Sequence, residues 1–257
     1  DMSTSPRRPG DTQAGPCPAC GEIREARTGT AGRITLSYLT NCACRRQAIA
    51  DFDRAQSEMR FRDRCARFAV AFGDAIRPMA GKSLANFERR TGAVEAADDA
   101  RRFVANLPER LSQGEGLVFS GLPGTGKTHL ATAIASSCWA LDRVVIHVSV
   151  QPLLERFKIL WGDGTALNKL HRALATVDLL VLDDIGQEVN AAREASSLFG
   201  VLDSRYDKRR STILTTNLDA TQFREHYGAA IVSRLRERAQ WTALTADDYR
   251  PSLRREW

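Results

Sequence analysis

The sequence predicts an α/β protein with a mostly parallel, doubly wound sheet, preceded by a small cysteine-containing and helical domain. From Leu84 onward, short apolar runs typical of buried strands alternate with amphipathic segments of helical period. A glycine-rich loop joins one of these strands to the helix that follows it. Two cysteine pairs precede this pattern, in a segment that also contains several glycines.

Composition limits the number of domains. The chain has 257 residues, 43% of them hydrophobic and 26% charged, which is enough for one large domain or for one medium domain plus a small one. We predict a disordered tail at 1–16, a cysteine and helical domain at 17–76, a linker at 77–83 and an α/β domain at 84–257. The net charge of +6 is compatible with nucleic acid without identifying it. With no bilayer-length apolar run and no signal-peptide pattern at its start, the protein is expected to be cytoplasmic.

Local periodicity predicts the order of elements. RITLSYL is typical of a strand between the cysteine pairs, and residues 45–76 repeat apolar side chains at helical spacing. Residues 97–111 also have the pattern of a single helix. Further strands are predicted at GLVFSG, RVVIHVS, DLLVLDDIG, STILTTN and WTALTA, and the segments between them are predicted to be helices.

The glycine-rich loop, GLPGTGKT, has the spacing of a phosphate-binding loop. A strand before it and a helix after it are the context that this motif requires. Glycines let the backbone approach phosphates, and the N–H groups at the helix start face the anion. Lys127 adds positive charge at the β- and γ-phosphates, and the Thr128 hydroxyl can bind Mg²⁺. The predicted ATP-binding residues here are Gly121, Leu122, Pro123, Gly124, Thr125, Gly126, Lys127, Thr128 and His129.

Three later features accompany this loop. LLVLDDIG places Asp183 and Asp184 at the end of a strand, where Asp183 can hold Mg²⁺ through water and Asp184 can polarise an attacking water. ILTTN ends a strand with Asn217, whose amide could reach that water, although turn chemistry is its commoner use. AIVSRLRE carries Arg234, and one arginine can stabilise transition-state charge in cis or in trans.

These motifs, in this order, resemble those of AAA+ ATPases, and more closely the DnaC/DnaI-type replicative helicase loaders and the related IstB transposition ATPases. The resemblance rests on SLANFER, GLPGTGKTHLATAIA, LLVLDDIG, ILTTN, AIVSRLRE and DDYRPS, and it spans residues 83 to about 252. It implies an AAA+ fold that binds ATP and Mg²⁺ and self-associates through the ATP site. Arg234 would then reach a neighbour's γ-phosphate, and Arg250 would act as a second sensor.

The resemblance also implies a single-stranded DNA contact in the helix of LLERFKILW. There Phe157, Lys158 and Trp161 could provide aromatic stacking and phosphate pairing. The alternative is an ordinary amphipathic helix with Phe157 and Trp161 in the core. Asp184 departs from the glutamate that most AAA+ proteins have at this position, and its shorter side chain predicts slow hydrolysis suited to a switch.

The four cysteines predict a Zn²⁺ site. CPACGE and NCACRR place Cys17, Cys20, Cys42 and Cys44 at metal-knuckle spacing, although C-x-C is less common than C-x₂-C. Disulfides are disfavoured in a reducing cytoplasm, and free thiols are the other alternative. Some loaders carry such a module ahead of the ATPase core and grip the helicase there, which implies that residues 17–76 bind the partner. Zinc ribbons also bind nucleic acid, so this second role stays open.

The leading hypothesis is a loader of the hexameric replicative helicase onto single-stranded DNA, with ATP as its switch. The runner-up is an IstB-like transposition helper that assembles on DNA. A DNA-binding regulator that binds nucleotide without hydrolysing it is a third possibility. A small-molecule P-loop kinase would need an acceptor pocket and a lid, and we find no sequence sign of either.

Overall fold

The computed structural model describes residues 14–31, 34–72, 81–186 and 192–249. The chain forms two compact units, Asp1–Arg60 and Phe61–Trp257. The division falls inside one long helix, and so earlier than the linker that we predicted at 77–83. Residues 1–13 of the predicted tail and 77–80 of the predicted linker lie outside the described residues.

The first unit contains two antiparallel ribbons and the start of a long helix. Strand β1 (Gly15–Pro16) pairs with β2 (Ile23–Arg24), so the last two residues of the predicted tail are part of a strand. Strand β3 (Ala26–Ala31) pairs with β4 (Ile34–Leu39), which is the strand predicted from RITLSYL. Helix α1 (Ala43–Phe72) follows and continues into the second unit.

The second unit is built on a five-stranded parallel sheet in the order β6-β7-β8-β5-β9. Its strands are β5 (Gly116–Gly121), β6 (Val145–Ser149), β7 (Leu179–Ile185), β8 (Ser211–Thr216) and β9 (Ala239–Leu244). Its remaining helices are α2 (Val94–Ala105), α3 (Leu107–Gln113), α4 (Lys127–Trp139), α5 (Val150–Leu160), α6 (Gly164–Thr176), α7 (Ala192–Asp207), α8 (Ala220–Tyr227) and α9 (Ala229–Arg238). The doubly wound parallel sheet predicted from the sequence is therefore confirmed.

The core lies in two apolar layers, one on each face of this sheet. Successive residues of β7 alternate between them, because side chains along a strand point to opposite faces. Leu180 and Leu182 join the layer formed with α5 to α9, whereas Leu179 and Val181 join the layer formed with α2 and α4. Burial on both faces is why these strands appear in the sequence as continuous apolar runs.

Two side chains of α1, Phe61 and Cys65, contribute to this core. Phe61 and Cys65 pack against the layer that contains Leu180, and the Phe61 ring lies 5.0 Å from the Trp139 ring in an edge-on arrangement. These contacts explain why the second unit begins at Phe61, within the helix. Among the described residues, no helix combines the length and the apolar character that a membrane span requires.

One predicted helix is divided in two. We predicted a single helix over 97–111, but α2 ends at Ala105 and α3 begins at Leu107. Pro108 explains the break, since its ring removes one backbone N–H and suits the first turn of a new helix. Gly114 ends α3 with a left-handed φ of 72° and leads the chain into β5.

Candidate functional site

A cavity of about 600 Å³ opens beyond the carboxyl ends of the central strands. This is the edge where parallel α/β sheets bind their ligands, and the volume suits a nucleotide. The loop after β5, the end of β7 and the residue after β8 all contribute to its lining. The lining residues are Lys82, Asn86, Phe87, Glu88, Arg90, Pro123, Gly124, Gly126, Lys127, Thr128, His129, Asp184, Asn217 and Tyr249.

The glycine-rich loop between β5 and α4 is closely surrounded by side chains. Gly124 has a φ of 78° and Gly126 a φ of 108°, conformations that side chains other than glycine rarely adopt. A Cβ atom at Gly126 would lie 2.8 Å from the Phe87 ring, and one at Gly124 would lie 1.6 Å from an Asp248 carboxylate oxygen. The backbone conformation therefore favours glycine at both positions, and a Cβ atom at Gly126 would also displace the Phe87 ring.

Lys127 begins helix α4 and is nearly buried. Its Nζ donates hydrogen bonds to the carbonyl oxygens of Gly121 and Leu122, at 2.6 and 2.8 Å. The Thr125 hydroxyl donates to the same Leu122 carbonyl at 2.9 Å. These bonds hold the loop in a compact turn and keep the ammonium group at the wall of the cavity.

Asp183 connects three elements beneath the cavity. It is completely buried and accepts hydrogen bonds from the Thr128 hydroxyl at 2.9 Å and the Thr215 hydroxyl at 2.6 Å. The two hydroxyls belong to α4 and β8, while the carboxylate belongs to β7. A hydroxyl and a carboxylate in direct contact are oxygen ligands of the kind that Mg²⁺ prefers.

Asp184 follows in a conformation that turns it into the cavity. Its φ is 59°, and the pairing of β7 with β8 is irregular between Leu182 and Ile185. Its backbone N–H donates to the Thr215 hydroxyl at 2.9 Å. A non-glycine residue at positive φ costs about 1–3 kcal/mol, and such strain concentrates at functional sites. Two adjacent acids thus take different places, with Asp183 under the loop and Asp184 at the cavity wall.

The structure brings most of the predicted ATP-site residues to this cavity. Pro123, Gly124, Gly126, Lys127, Thr128, His129, Asp184 and Asn217 line it. Gly121, Leu122 and Thr125 shape the loop without lining the cavity, and Leu122 is 73% exposed. Arg234 lies on α9 at the edge of a separate pocket. Arg250 lies outside the described residues.

Asn86 and Phe87, which line the cavity beside the predicted residue His129, were not identified as site residues from the sequence. His129 Nε2 lies 3.0 Å from both the Ser83 carbonyl oxygen and the Asn86 side-chain oxygen, so this nitrogen is the protonated donor. Burial lowers the pKa of His129, which favours the neutral ring. The contact brings Phe87 to the loop, with its ring 5.2 Å from that of His129. SLANFER contributed to the family resemblance, and that was the available signal for this wall.

The chain after β9 closes the same side of the cavity. Arg90 Nη1 donates to the Asp247 carbonyl oxygen at 2.7 Å, and its guanidinium lies 4.7 Å from the Tyr249 ring centroid. The Tyr249 N–H donates to the Gly124 carbonyl oxygen at 3.0 Å. Segments far apart in sequence therefore meet at the phosphate loop.

The four cysteines form one cluster. The sulfurs of Cys17, Cys20, Cys42 and Cys44 all lie within 4.8 Å of one another, with Cys17–Cys44 at 3.6 Å and Cys42–Cys44 at 3.2 Å. A Zn²⁺ ion bound at about 2.3 Å to four thiolates needs sulfurs of roughly this spacing. Four closely spaced sulfurs cannot all ionise unless a cation compensates their charge. The donor set therefore fits a structural zinc ion.

The surroundings of the Cys17 sulfur favour its thiolate form. Backbone N–H groups, Ala19 first and then Cys20, lower the pKa of Cys17 to about 6. The neighbouring thiols, Cys42 first, raise the pKa of Cys44 to about 12. The Glu22 carboxylate accepts the Ala43 N–H at the start of α1, and this bond lowers the pKa of Glu22. That hydrogen bond links the segment that follows Cys17 and Cys20 to the start of α1.

The three predicted DNA-contact residues differ in how deeply their side chains are buried. Phe157 is 0% exposed, lies in the core and contacts the His171 ring at 5.0 Å. It cannot stack on a base without disrupting α5, so the prediction for Phe157 was wrong. Lys158 is exposed and Trp161 is half-buried. These two remain candidates, together with Ile159, which is 70% exposed.

Known proteins resemble this chain over different lengths. Over 161 residues it is 29% identical to a protein named replicative helicase loader DnaC from Escherichia coli K12, covering 62% of this chain and 64% of that protein. It is 27% identical over 239 residues to the uncharacterized protein YdaV of the same strain, covering 91% and 96% of the two chains. The crystal structure of the DnaC helicase loader shares 26% identity at a TM-score of 0.59, covering 65% of this chain and 98% of that one.

The chain thus spans about 64% of the length of the curated loader that it matches. The YdaV match, which covers most of the chain, must include much of the cysteine unit as well. A family model described as IstB-like ATP binding protein matches residues 80–256, well over half of the chain. With the phosphate loop, Asp184 and Asn217 around one cavity, this match shows that the chain belongs to the family of IstB-like ATP-binding proteins.

Proposed function

We propose that this protein is an ATP-dependent loader of the hexameric replicative helicase onto single-stranded DNA at the initiation of replication. The observation that carries the proposal is the convergence of Lys127, Asp184 and Asn217 on one nucleotide-sized cavity, in a chain similar to replicative helicase loaders. ATP binding and hydrolysis would switch the protein between holding and releasing the helicase.

The proposed reaction is hydrolysis of ATP to ADP and phosphate. Loop N–H groups and Lys127 would hold the β- and γ-phosphates. Thr128 and Asp183 would hold Mg²⁺, and Asp184 would orient the attacking water with Asn217 beside it. The short side chain of Asp184 reaches less far than a glutamate, so we expect slow turnover. Arg250 would supply a second positive charge, by resemblance to the family.

Arg234 is proposed to act on a neighbouring copy. It does not line the cavity of its own chain, so a role at the γ-phosphate requires a second subunit. In-trans arginines stabilise the charge of the transition state and increase turnover strongly. The protein would therefore be active only when it self-associates through the ATP site.

The first unit is proposed to bind zinc and the helicase. Zn²⁺ at the four cysteines would supply folding energy that a small unit lacks. On α1, Ile49, Phe52 and Met59 recur at helical spacing and are 42%, 65% and 65% exposed. Large apolar side chains left exposed together on one helix support a protein-contact surface. The partner inferred from the relatives is a hexameric helicase of the DnaB type.

The surface of α5 is proposed to contact single-stranded DNA. Lys158 would pair with phosphate, and Trp161 offers the edge of a stacking surface at the end of the helix. Such binding would weaken steeply with salt, because phosphate contacts release counterions. The net charge of +6 favours this association.

The proposal is tested by light scattering coupled to size-exclusion chromatography. The protein is mixed with the hexameric helicase from its own source, with and without ATP·Mg²⁺, and phosphate release is measured in parallel. We expect a stable co-eluting complex and slow phosphate release. Lys127→Ala should weaken ATP binding by about 10- to 100-fold, since it removes a charge-assisted contact. Unchanged ATP affinity in Lys127→Ala, or no helicase complex under either condition, would contradict the loader proposal.

The second candidate is an IstB-like transposition helper, which the family match over residues 80–256 favours. ATP-dependent oligomers on added DNA, without a helicase complex, would support this candidate. A nucleotide-switched DNA-binding regulator would keep its function in Asp184→Asn, whereas a loader would lose its cycle. Phosphate release without a phosphorylated acceptor would exclude a kinase.

A further inference from the structure

The three arginines of α9 have different surroundings. Arg234 donates from Nη1 to the Asp203 carboxylate and lies 5.9 Å over the Tyr206 ring. Arg238 lies 5.5 Å over the same ring and donates to the Gln113 carbonyl oxygen. Arg236 is exposed. Of these side chains, Arg234 is the one paired with an acid from another helix, α7.

The contacts of Arg234 restrain one part of its guanidinium and leave another part accessible. The hydrogen bond described for this side chain uses Nη1, and the side chain remains 44% exposed. A guanidinium carries five N–H donors in a planar fork, so one edge can be held while another binds phosphate. The Tyr206 ring lies under the same plane and further limits its rotation.

We propose that Asp203 is a positioning residue that orients Arg234 toward the γ-phosphate of ATP bound to a neighbouring copy. This inference rests on the proposed function, because it requires Arg234 to act in trans. Asp203 itself touches neither the nucleotide cavity nor the reacting atoms of its own chain.

Preorganisation is the physical reason for this assignment. An unrestrained arginine samples many rotamers, and fixing one of them at the moment of reaction is unfavourable. Asp203 and Tyr206 restrict these rotamers before the neighbour arrives. A purely stabilising role accounts poorly for the pair, since side chains that are 44% and 43% exposed are largely screened by water.

The experiment measures ATP hydrolysis by the full chain under conditions where it self-associates. In Asp203→Asn we expect kcat to fall about three- to tenfold, because a misplaced catalytic group loses rate. The ATP affinity and the thermal midpoint should stay unchanged. Asp203→Glu should recover part of the rate by restoring the charge. Asp207→Asn, an exposed acid one turn further along α7, is the matched control and should keep full turnover.

A double-mutant cycle separates this inference from the proposed function. In an Arg234→Ala background, Asp203→Asn should have no further effect on kcat. Wild-type turnover in Arg234→Ala would refute the trans role itself. Loss of turnover in Arg234→Ala with unchanged or faster turnover in Asp203→Asn would overturn the positioning role alone. Asp203→Ser provides a second neutral variant in case the asparagine variant does not fold.

Discussion

The first unit (Asp1–Arg60), which we call the cysteine unit, and the second unit (Phe61–Trp257), which we call the nucleotide unit, differ in which side chains they bury. In the nucleotide unit, a parallel sheet lies between two apolar layers, and residues such as Leu180 and Leu182 are completely buried. Among the residues of the cysteine unit whose burial is described, 14–28 and 39–60, the buried apolar side chains are Cys17 and Cys42. Within those ranges, burial is therefore concentrated at the candidate metal site.

This contrast shows how size limits the source of stability. A chain of about 60 residues buries only about 60% of its surface on folding, so its core alone gives marginal stability, and a bound metal ion is a common additional source. The larger unit has enough core to keep strained residues such as Asp184 in place. Damage to one unit should therefore leave the other folded.

The largest expected effect comes from removing the proposed zinc ion. Cys42→Ser, or chelation of the metal, should unfold the cysteine unit, because structural zinc contributes about 10–16 kcal/mol in small domains. Nucleotide binding should persist. Metal content by mass spectrometry and amide hydrogen exchange along the chain would measure both effects.

The control for this experiment is Cys65→Ser, which changes a half-buried cysteine outside the cluster. It should retain one zinc per chain. A stoichiometric metal in Cys42→Ser would remove the four-cysteine site.

An intermediate effect is expected in the core of the nucleotide unit. Phe157→Ala should lower the free energy of unfolding by about 3–5 kcal/mol, since it removes a fully buried ring. Urea denaturation measures this, and zinc content should not change. The adjacent exposed Lys158→Ala should change stability by less than about 0.5 kcal/mol. If Phe157→Ala kept normal stability but lost DNA binding, Phe157 would contact DNA after all.

The smallest effect on stability is expected on α1, although the residue is again a phenylalanine. Phe52 is 65% exposed, so Phe52→Ser should change the free energy of unfolding by less than about 0.5 kcal/mol. The proposed complex with the helicase should nevertheless weaken, as measured by co-elution. Glu58→Ser, an exposed polar position of the same helix, is the control. Full helicase binding by Phe52→Ser would remove this face from the contact surface.

The sheet and the phosphate site could be predicted because their signals are local. Buried parallel strands appear as apolar runs, and the residues that follow them meet at one edge of the sheet. That is why Lys127, Asp184 and Asn217 could be placed at one site from their positions after strands. The division of the helix at Pro108 was missed because helical periodicity continues across it.

The features that escaped prediction depend on contacts between distant segments. Arg90 and Tyr249 meet at the cavity although they are separated by most of the nucleotide unit. Arg205 was not identified from the sequence, yet its charged side chain is buried and donates to the carbonyl oxygens of Leu174, Val177 and Ser211. Phe157 and Phe52 both lie on amphipathic helices, and only packing decides which of them is buried.

The hydrogen bonds of the phosphate loop make nucleotide binding an exchange of partners. Lys127 Nζ already donates to two carbonyl oxygens, and the Thr128 hydroxyl already donates to Asp183. A phosphate group would compete with the two carbonyl oxygens for Lys127, and a divalent cation would compete with the hydrogen bond between Thr128 and Asp183. The affinity for ATP would therefore be the difference between the free energies of these two sets of bonds. The Thr215 hydroxyl donates to the Asp183 carboxylate and accepts from the Asp184 N–H. A cation bound at Asp183 would therefore change hydrogen bonds in both β7 and β8. Under the proposed function, the strength of these loop hydrogen bonds would therefore help to set the ATP concentration at which the protein responds.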